Sequence, residues 1–132
     1  DELMALNRIL EIQKENNLTY LFITHDLGVV EYLADYIAVM YLGRVVEEGP
    51  VIEVLDNPKH PYTQALLNAV PRLEMKTKKS ELILPGDVPS PINPPAGCHF
   101  HTRCPFAEEK CKQVYPPAIT ASASHTYRCY RP

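Results

Sequence analysis

The sequence has little of what membrane-spanning, exported or nucleic-acid-binding proteins need. No apolar run approaches the roughly 18 residues required to cross a bilayer. The chain carries 13 Lys and Arg against 16 Asp and Glu, a net charge of −3. This argues against a general nucleic-acid binder, because phosphate neutralisation needs a surplus of cations. No basic and apolar leader opens the chain, so we expect a cytosolic location and reduced thiols.

What is present is unevenly distributed along the 132 residues. Residues 1–70 hold 4 basic and 11 acidic residues, whereas residues 71–132 hold 9 and 5, so the halves carry −7 and +4. Eight of the 13 prolines lie within 85–117, and all four cysteines lie in the second half. We therefore expect two different parts. Because the first residue is Asp1 rather than Met, we expect the sequence to be a piece of a longer protein.

The first half has the pattern of an α/β protein. Apolar residues at spacings of three and four predict an amphipathic helix over 3–15, with Asn16 and Asn17 suited to its C-terminal cap. The apolar run 18–23 is rich in aromatic and β-branched residues, which predicts a central parallel strand covered on both faces. Asp26 is suited to cap a second helix that ends near Ala34.

A hairpin and two short helices are predicted next. Segments 37–41 and 44–48 have strand composition, and Leu42-Gly43 between them is suited to a tight turn. A short helix is predicted through about Leu55. A last amphipathic helix is predicted over 61–70, where apolar residues again align at helical spacing.

One histidine in this half is a candidate site residue. His25 directly follows the predicted buried strand, at the end of the sheet where open α/β proteins bind their ligands. An imidazole there, beside Asp26, can donate to a phosphate oxygen or position a water. The alternative is a structural histidine at the start of a helix.

Several strings closely resemble the distal end of ATP-binding subunits of ABC transporters: Leu18 to Leu27, Ala34-Asp35 and Val39 to Arg44. Others resemble the oligopeptide/dipeptide importer branch of that family: Gly49-Pro50, Asn57-Pro58, His60 to Leu67, Pro71, Pro89-Ser90-Pro91, Asn93-Pro94-Pro95, Gly97-Cys98, Phe100-His101, Arg103-Cys104-Pro105, Cys111 and Cys129. The resemblance covers almost the whole chain, and the combined set is specific.

The resemblance implies an α/β fold that is the C-terminal piece of a P-loop (RecA-like) ABC nucleotide-binding domain, followed by a small irregular Pro/Cys-rich extension. Residues 1–57 would belong to the ATPase domain. Residues 58–132 would form the extension, with the helix at 61–70, a linker at 71–81 and a four-cysteine module at 96–130. His25 matches the switch-loop histidine, which contacts the ATP γ-phosphate and the attacking water when two subunits close around ATP and Mg²⁺.

The function implied is that of the C-terminal segment of a subunit that couples ATP hydrolysis to import of oligopeptides, dipeptides or related solutes. Its place would be the cytoplasmic face of the membrane. Its partners would be a second ATP-binding subunit, the permease subunits and, indirectly, an extracellular solute-binding protein, with no nucleic acid. The sequence contains no G-x-x-x-x-G-K-[ST] phosphate loop, so we expect the segment alone to be inactive. The alternative is a stand-alone metal-binding interaction or regulatory module.

The cysteine region needs a cross-link or a metal, because residues 96–132 contain few large apolar side chains. The spacing C-x5-C-x6-C-x17-C supplies Cys98, Cys104, Cys111 and Cys129 as four soft ligands. We favour a [4Fe-4S] cluster, which accommodates wide spacing and which the resemblance implies for some family members. Zinc remains open although the usual C-x-x-C is lacking, as do free thiols or disulfides.

Other polar residues of the second half have less specific roles. The basic stretch 72–80, with Lys76, Lys78 and Lys79, predicts a solvated linker, with attraction to an anionic membrane surface as the alternative. Segment 82–84 could form a short strand. The imidazoles near the cysteines could replace a thiolate but are expected to be neighbouring or surface groups: His99, His101 and His125. Four cations could offset cluster charge or form a solvated basic face: Arg103, Lys110, Lys112 and Arg128.

Overall fold

The computed structural model describes residues 2–69 and 84–131. The chain divides into two compact units, Asp1–Asp35 and Tyr36–Pro132. The predicted linker lies outside the described residues, as does all of the predicted strand 82–84 except its last residue. No helix within the described ranges is long and apolar enough to cross a membrane.

The first unit consists of two helices with an extended segment between them. Helix α1 spans Glu2–Asn16 and helix α2 spans Leu27–Leu33. Asn17 follows α1 with φ 52°, a left-handed conformation that Asn tolerates, so the predicted end of the helix is confirmed. The predicted cap of α2 is also confirmed, because Asp26 Oδ1 accepts hydrogen bonds from the first backbone N–H groups of the helix at 2.9 and 3.2 Å.

The predicted central strand 18–23 is wrong. This segment is not a strand, and its Leu21 and Ile23 side chains are 92% and 91% exposed. A parallel strand takes its hydrogen bonds from neighbouring strands. None of the strands in the described part of the chain pairs with this segment. Segment 18–23 has a high β propensity and is extended, but it has no sheet to join.

The second unit is built on a four-stranded antiparallel sheet in the order β1-β2-β4-β3. The predicted hairpin between β1 and β2 is confirmed. Its turn residues Leu42 and Gly43 have φ values of 46° and 77°, and two positive φ angles give the twist that a two-residue hairpin needs. The strands are β1 at Tyr36–Tyr41, β2 at Arg44–Pro50, β3 at Ile119–Ser122 and β4 at His125–Tyr127.

Two of these strands come from the region that was expected to be irregular. Strands β3 and β4 belong to the Pro/Cys-rich extension, and β4 pairs directly with β2, with Glu47 opposite Tyr127. The fold is thus a small mixed α/β piece whose sheet is antiparallel. The predicted boundary between residues 57 and 58 stays a prediction, although one sheet includes strands from both sides of it.

The core lies on one face of the sheet, under α3 (Val51–Asp56) and α4 (Pro61–Asn68). Residues of β1 alternate between exposed and buried, as a half-covered strand requires. Phe100 of the cysteine region is 1% exposed and packs edge-on against Tyr41 at 5.2 Å between ring centroids. The buried apolar side chains of this unit include Ile37, Val39, Tyr41, Val46, Val51, Val54, Leu55, Ala65, Leu67, Phe100 and Tyr127. The cysteine region is therefore anchored in the core.

Candidate functional site

His25 lies in the first unit, between the extended apolar segment and the N-cap of α2. Its side chain is exposed. The backbone around it is ordered by local hydrogen bonds, because Asp26 N donates to Thr24 Oγ1 at 3.1 Å and Asp26 caps the helix. This arrangement presents an imidazole at the start of a short helix. The strand that was expected to lead into it does not form in the described part of the chain.

The second candidate site is a pocket that all four cysteines line. The residues lie far apart in sequence, yet each is partly buried in the same pocket. The pocket also has imidazole and aromatic walls, and we call it the thiol pocket. Its main lining residues are Cys98, Cys104, Cys111, Cys129, His60, Pro61, Phe100 and His101. That these four cysteines act as one ligand set stays a prediction.

Close backbone contact between two cysteine segments shapes the thiol pocket. Cys98 N donates to Cys111 O at 2.7 Å. The preceding residue, Gly97, has φ 70°, and a Cβ atom at that position would lie 2.4 Å from Cys111 O. Only glycine fits such a position, because a side chain would meet both an unfavourable φ and a steric clash with backbone. Gly97 thus allows the first and third cysteines to approach each other.

Two of the four sulfur atoms accept a backbone N–H. Arg131 N donates to Cys129 Sγ at 3.4 Å. Glu108 N donates to Cys111 Sγ at 3.5 Å, at the start of the 3-10 turn Glu109–Lys112. Backbone donors of this kind stabilise the thiolate over the thiol.

Burial acts in the opposite direction on the cysteine sulfurs. It raises the pKa of Cys98 to about 11, with the neighbouring thiolates adding to the effect. Burial likewise raises the pKa values of Cys104 and Cys129, whereas the nearby Arg131 lowers both. At neutral pH these groups are protonated in the absence of a bound cation. Coordination of a metal would therefore release protons.

The thiol pocket has no ready-made ion site in the described part of the chain. Among residues 2–69 and 84–131, no group of three or more His, Cys, Asp or Glu side chains is arranged to hold a metal ion. The four cysteines are free thiols, without a disulfide.

The segment His60 to Tyr62 joins the thiol pocket to the sheet. His60 is 1% exposed, and its Nδ1 accepts from Tyr62 N at 3.0 Å, which caps α4. Pro61 occupies the first helical turn, where its missing N–H costs nothing. The Tyr62 ring packs against Tyr41 and Phe100 at 4.8 and 5.5 Å between centroids. Burial lowers the pKa of His60 to about 4, so the capping ring is neutral at physiological pH.

Sequence analysis missed a buried carboxylate that holds this region together. Glu47 of β2 is 1% exposed and accepts from the backbone amides of Lys59 and His60 at 2.7 and 2.8 Å. Glu47 Oε2, which accepts from Lys59 N, also lies 2.7 Å from His125 Nε2 on β4. The carboxylate thus joins two strands and the loop before α4. The sequence did contain a signal for this buried carboxylate. Glu47 and Glu48 are adjacent in a predicted strand, and because neighbouring strand residues face opposite sides, one of these two acids must point inward.

The other polar residues near the cysteines have distinct positions. His101 lines the thiol pocket with its Nδ1 2.7 Å from Cys98 O, whereas His99 packs edge-on against Tyr115. The cations that were considered as partners of the cluster mainly contact other groups. Lys110 and Lys112 form exposed ion pairs with Glu108 and Glu109, and Arg103 and Arg128 donate to the carbonyls of Pro85 and Pro116.

Comparison with known proteins agrees with this geometry. Residues 46–111 match the family model for the C-terminal region of oligopeptide/dipeptide transporters. The chain belongs to this family. It is 49% identical over 128 residues to the oligopeptide transport ATP-binding protein AppF of Bacillus subtilis, and 50% identical over 112 residues to the dipeptide transport ATP-binding protein DppF of Escherichia coli. These alignments cover 96% and 85% of this chain.

The chain spans less than two fifths of these relatives' length, 39% of AppF and 34% of DppF. The oligopeptide transport ATP-binding protein OppF of Haemophilus influenzae is similar, with 45% identity over 129 residues and 39% of its length covered. The region matched by the transporter family model contains Glu47, His60 and three of the cysteines. His25 and Cys129 lie outside it.

Proposed function

We propose that this chain is the C-terminal part of an ATP-binding subunit that couples ATP hydrolysis to import of oligopeptides or dipeptides. The observation that carries the proposal is the match of residues 46–111 to the transporter family, with close relatives that are named as ATP-binding proteins. The subunit works at the cytoplasmic face of the membrane. Its partners are a second ATP-binding subunit and the permease subunits, with an extracellular solute-binding protein as an indirect partner.

The same proposal includes the domain organisation. Residues 1–57 form the end of a P-loop, RecA-like domain, and residues 58–132 form the extension that follows it. The match of residues 46–111 to the family model for the C-terminal region supports this assignment, because it extends across the proposed boundary into the extension.

His25 is the catalytic residue of this proposal. ATP with Mg²⁺ supplies the phosphoryl group, and His25 donates a hydrogen bond to a γ-phosphate oxygen and orients the attacking water. Its exposed side chain and its place between the apolar run and the capped helix α2 support this role.

The four cysteines hold a [4Fe-4S] cluster in this proposal, with zinc as the alternative occupant. Their position around one pocket, with backbone N–H donors at Cys111 and Cys129, supports a thiolate-bound group. When it is bound, the cluster supplies one-electron chemistry and cross-links a region with few apolar side chains. Residues Cys98, Cys104, Cys111 and Cys129 provide the ligands.

The transport proposal is tested with the complete ATP-binding subunit to which this chain belongs, assembled with a second ATP-binding subunit and the permease subunits in proteoliposomes. We expect ATP-dependent uptake of a labelled peptide. His25→Ala should lower ATP hydrolysis at least about a hundredfold while nucleotide binding persists, because the residue acts on the reacting water. His99→Ala, which removes an imidazole from the other unit, is the matched control and should behave as the wild type. Unchanged turnover in His25→Ala would exclude the catalytic role, and absence of uptake by the wild type would contradict the transport function.

The cluster is tested by purification without oxygen. We expect brown protein that contains iron and sulfide, with few titratable thiols. Gly97→Ala should lose the cluster, because its new Cβ meets Cys111 O, whereas Gly86→Ala is a matched control with φ 72° and open space around the new atom. Stoichiometric zinc in a colourless sample would show that the cysteines hold zinc and not the cluster. Equal iron content in the two glycine variants would contradict the proposed geometry.

A further inference from the structure

The imidazole of His25 depends on the neighbouring backbone for its position. Its side chain is exposed. Within residues 2–69 and 84–131, no side chain or backbone group forms a hydrogen bond or an ion pair with the ring. Both ring nitrogens are therefore open to a phosphate oxygen or a water, but no contact of the ring itself fixes where they point. The backbone on either side of His25 has to supply that order.

A hydrogen bond between its two neighbours closes the backbone around His25. Asp26 N donates to Thr24 Oγ1 at 3.1 Å. This is the local turn that Ser and Thr side chains form with the backbone two residues along the chain. Thr24 is half-buried, whereas His25 and Asp26 are exposed. The turn therefore begins at a covered residue and leaves the imidazole open to a ligand.

The other end of this turn is fixed to helix α2. Asp26 Oδ1 accepts from Gly28 N and Val29 N at 2.9 and 3.2 Å. Asp26 O accepts from Val30 N at 3.2 Å. Val29 is buried, so the helix itself is anchored. Asp26 is thus held by three hydrogen bonds from α2, and the side chain of Thr24 is joined to this frame by the bond from Asp26 N.

We propose that Thr24 is a positioning residue: its hydroxyl oxygen accepts from Asp26 N and thereby holds the His25 imidazole where it meets the γ-phosphate. The inference rests on the catalytic role proposed for His25. Displacement of a reacting group by about 1 Å is enough to lower a rate roughly a hundredfold. Loss of one exposed hydrogen bond widens the range of backbone conformations but leaves the imidazole in place, so the expected loss is smaller.

Substitutions of Thr24 separate its hydroxyl from the rest of the side chain. Thr24→Val keeps the stiff, β-branched shape and removes the acceptor. Thr24→Ser keeps the acceptor and removes the methyl group. Thr19→Val is the matched control, because Thr19 lies in the same extended segment, is exposed, and forms no hydrogen bond within the described residues.

The experiment measures ATP hydrolysis by the complete ATP-binding subunit, assembled with a second ATP-binding subunit and the permease subunits in proteoliposomes. We expect Thr24→Val to lower kcat about tenfold with KM for MgATP within about twofold of the wild type, because the hydroxyl acts on the reacting geometry and not on nucleotide binding. Thr24→Ser and Thr19→Val should keep kcat within about threefold of the wild type. Circular dichroism verifies folding. If the Val variant does not fold, Thr24→Ala, which also lacks the acceptor, should show the same loss of kcat.

His25→Ala in the same assay separates this inference from the proposal beneath it. If His25→Ala lowers turnover and Thr24→Val does not, the role of Thr24 is overturned and that of His25 stands. Unchanged turnover in His25→Ala would overturn both. Equal losses in Thr24→Val and Thr24→Ser, or a loss of kcat that comes with weaker MgATP binding and a lower melting temperature, would make the role of Thr24 structural and also overturn the inference.

Discussion

The two units of the chain differ in how they use their apolar residues. In the second unit the inward residues of β1 are buried beneath α3, α4 and Phe100, and Val54 is fully enclosed. In the first unit, α1 contains no buried residue and the run at 18–23 is largely exposed. Both units contain strongly apolar strings. The contrast shows that burial depends on complementary elements as much as on composition. Substitutions in each of the two units test this contrast.

The largest loss of stability is expected when the buried carboxylate of Glu47 is removed from the second unit. Glu47→Ala should lower the free energy of unfolding by about 4 kcal/mol, because it leaves two backbone amides and the His125 ring without their acceptor. Urea denaturation followed by circular dichroism measures it. Glu48→Ala, its half-buried neighbour on the same strand, is the control and should cost less than about 1 kcal/mol. Similar losses in both variants would show that the network adds nothing specific.

A leucine in each unit tests the contrast directly. Leu55 of α3 is 6% exposed, and Leu55→Ala should cost about 3 kcal/mol through lost burial and a residual cavity. Leu21 is 92% exposed, so Leu21→Ala should stay within about 0.5 kcal/mol in the same chain. Denaturation midpoints of the two variants provide the measurement. A large loss for Leu21→Ala would mean that the apolar run is buried in solution.

The third prediction concerns how stability depends on pH through His60 of the second unit. Burial lowers the pKa of His60 from 6.5 to about 4, so the unfolded chain binds a proton that the folded chain does not accept between these values. Stability is therefore complete above about pH 6.5 and falls as the pH drops toward 4, by up to roughly 3 kcal/mol. Denaturation of the reduced, metal-free protein at several pH values measures this slope. His60→Asn should flatten it, and equal slopes would assign the pH dependence to other groups.

Local signals in the sequence were sufficient for the features that depend on a few neighbouring residues. Asn17 and Asp26 marked helix ends because left-handed backbone and side-chain capping are properties of single residues. Leu42-Gly43 marked the hairpin for the same reason. The apolar run at 18–23 failed as a predicted strand, because pairing depends on partners that a local pattern does not contain.

The features that were missed depend on distant parts of the chain. Strands β3 and β4 are only four and three residues long, so a periodic pattern is too short to give a clear signal although they contain Ile119 and Tyr127. Glu47 becomes buried only because the loop before α4 and His125 supply its donors. The four cysteines could be grouped from their number and spacing. The backbone N–H donors at Cys111 and Cys129 depend on turns that the sequence did not reveal.

The pairing of β2 with β4 has a consequence for how the protein is made. Glu47 and Tyr127 are opposite each other in the sheet although about eighty residues separate them. A chain that grows from its N-terminus forms the β1–β2 hairpin early, but the edge of β2 must wait until residues 125–127 have left the ribosome. During that interval the edge of β2 is open, and the Glu47 carboxylate lacks its His125 partner. Truncation before residue 125 would make this transient, pairing-prone state permanent.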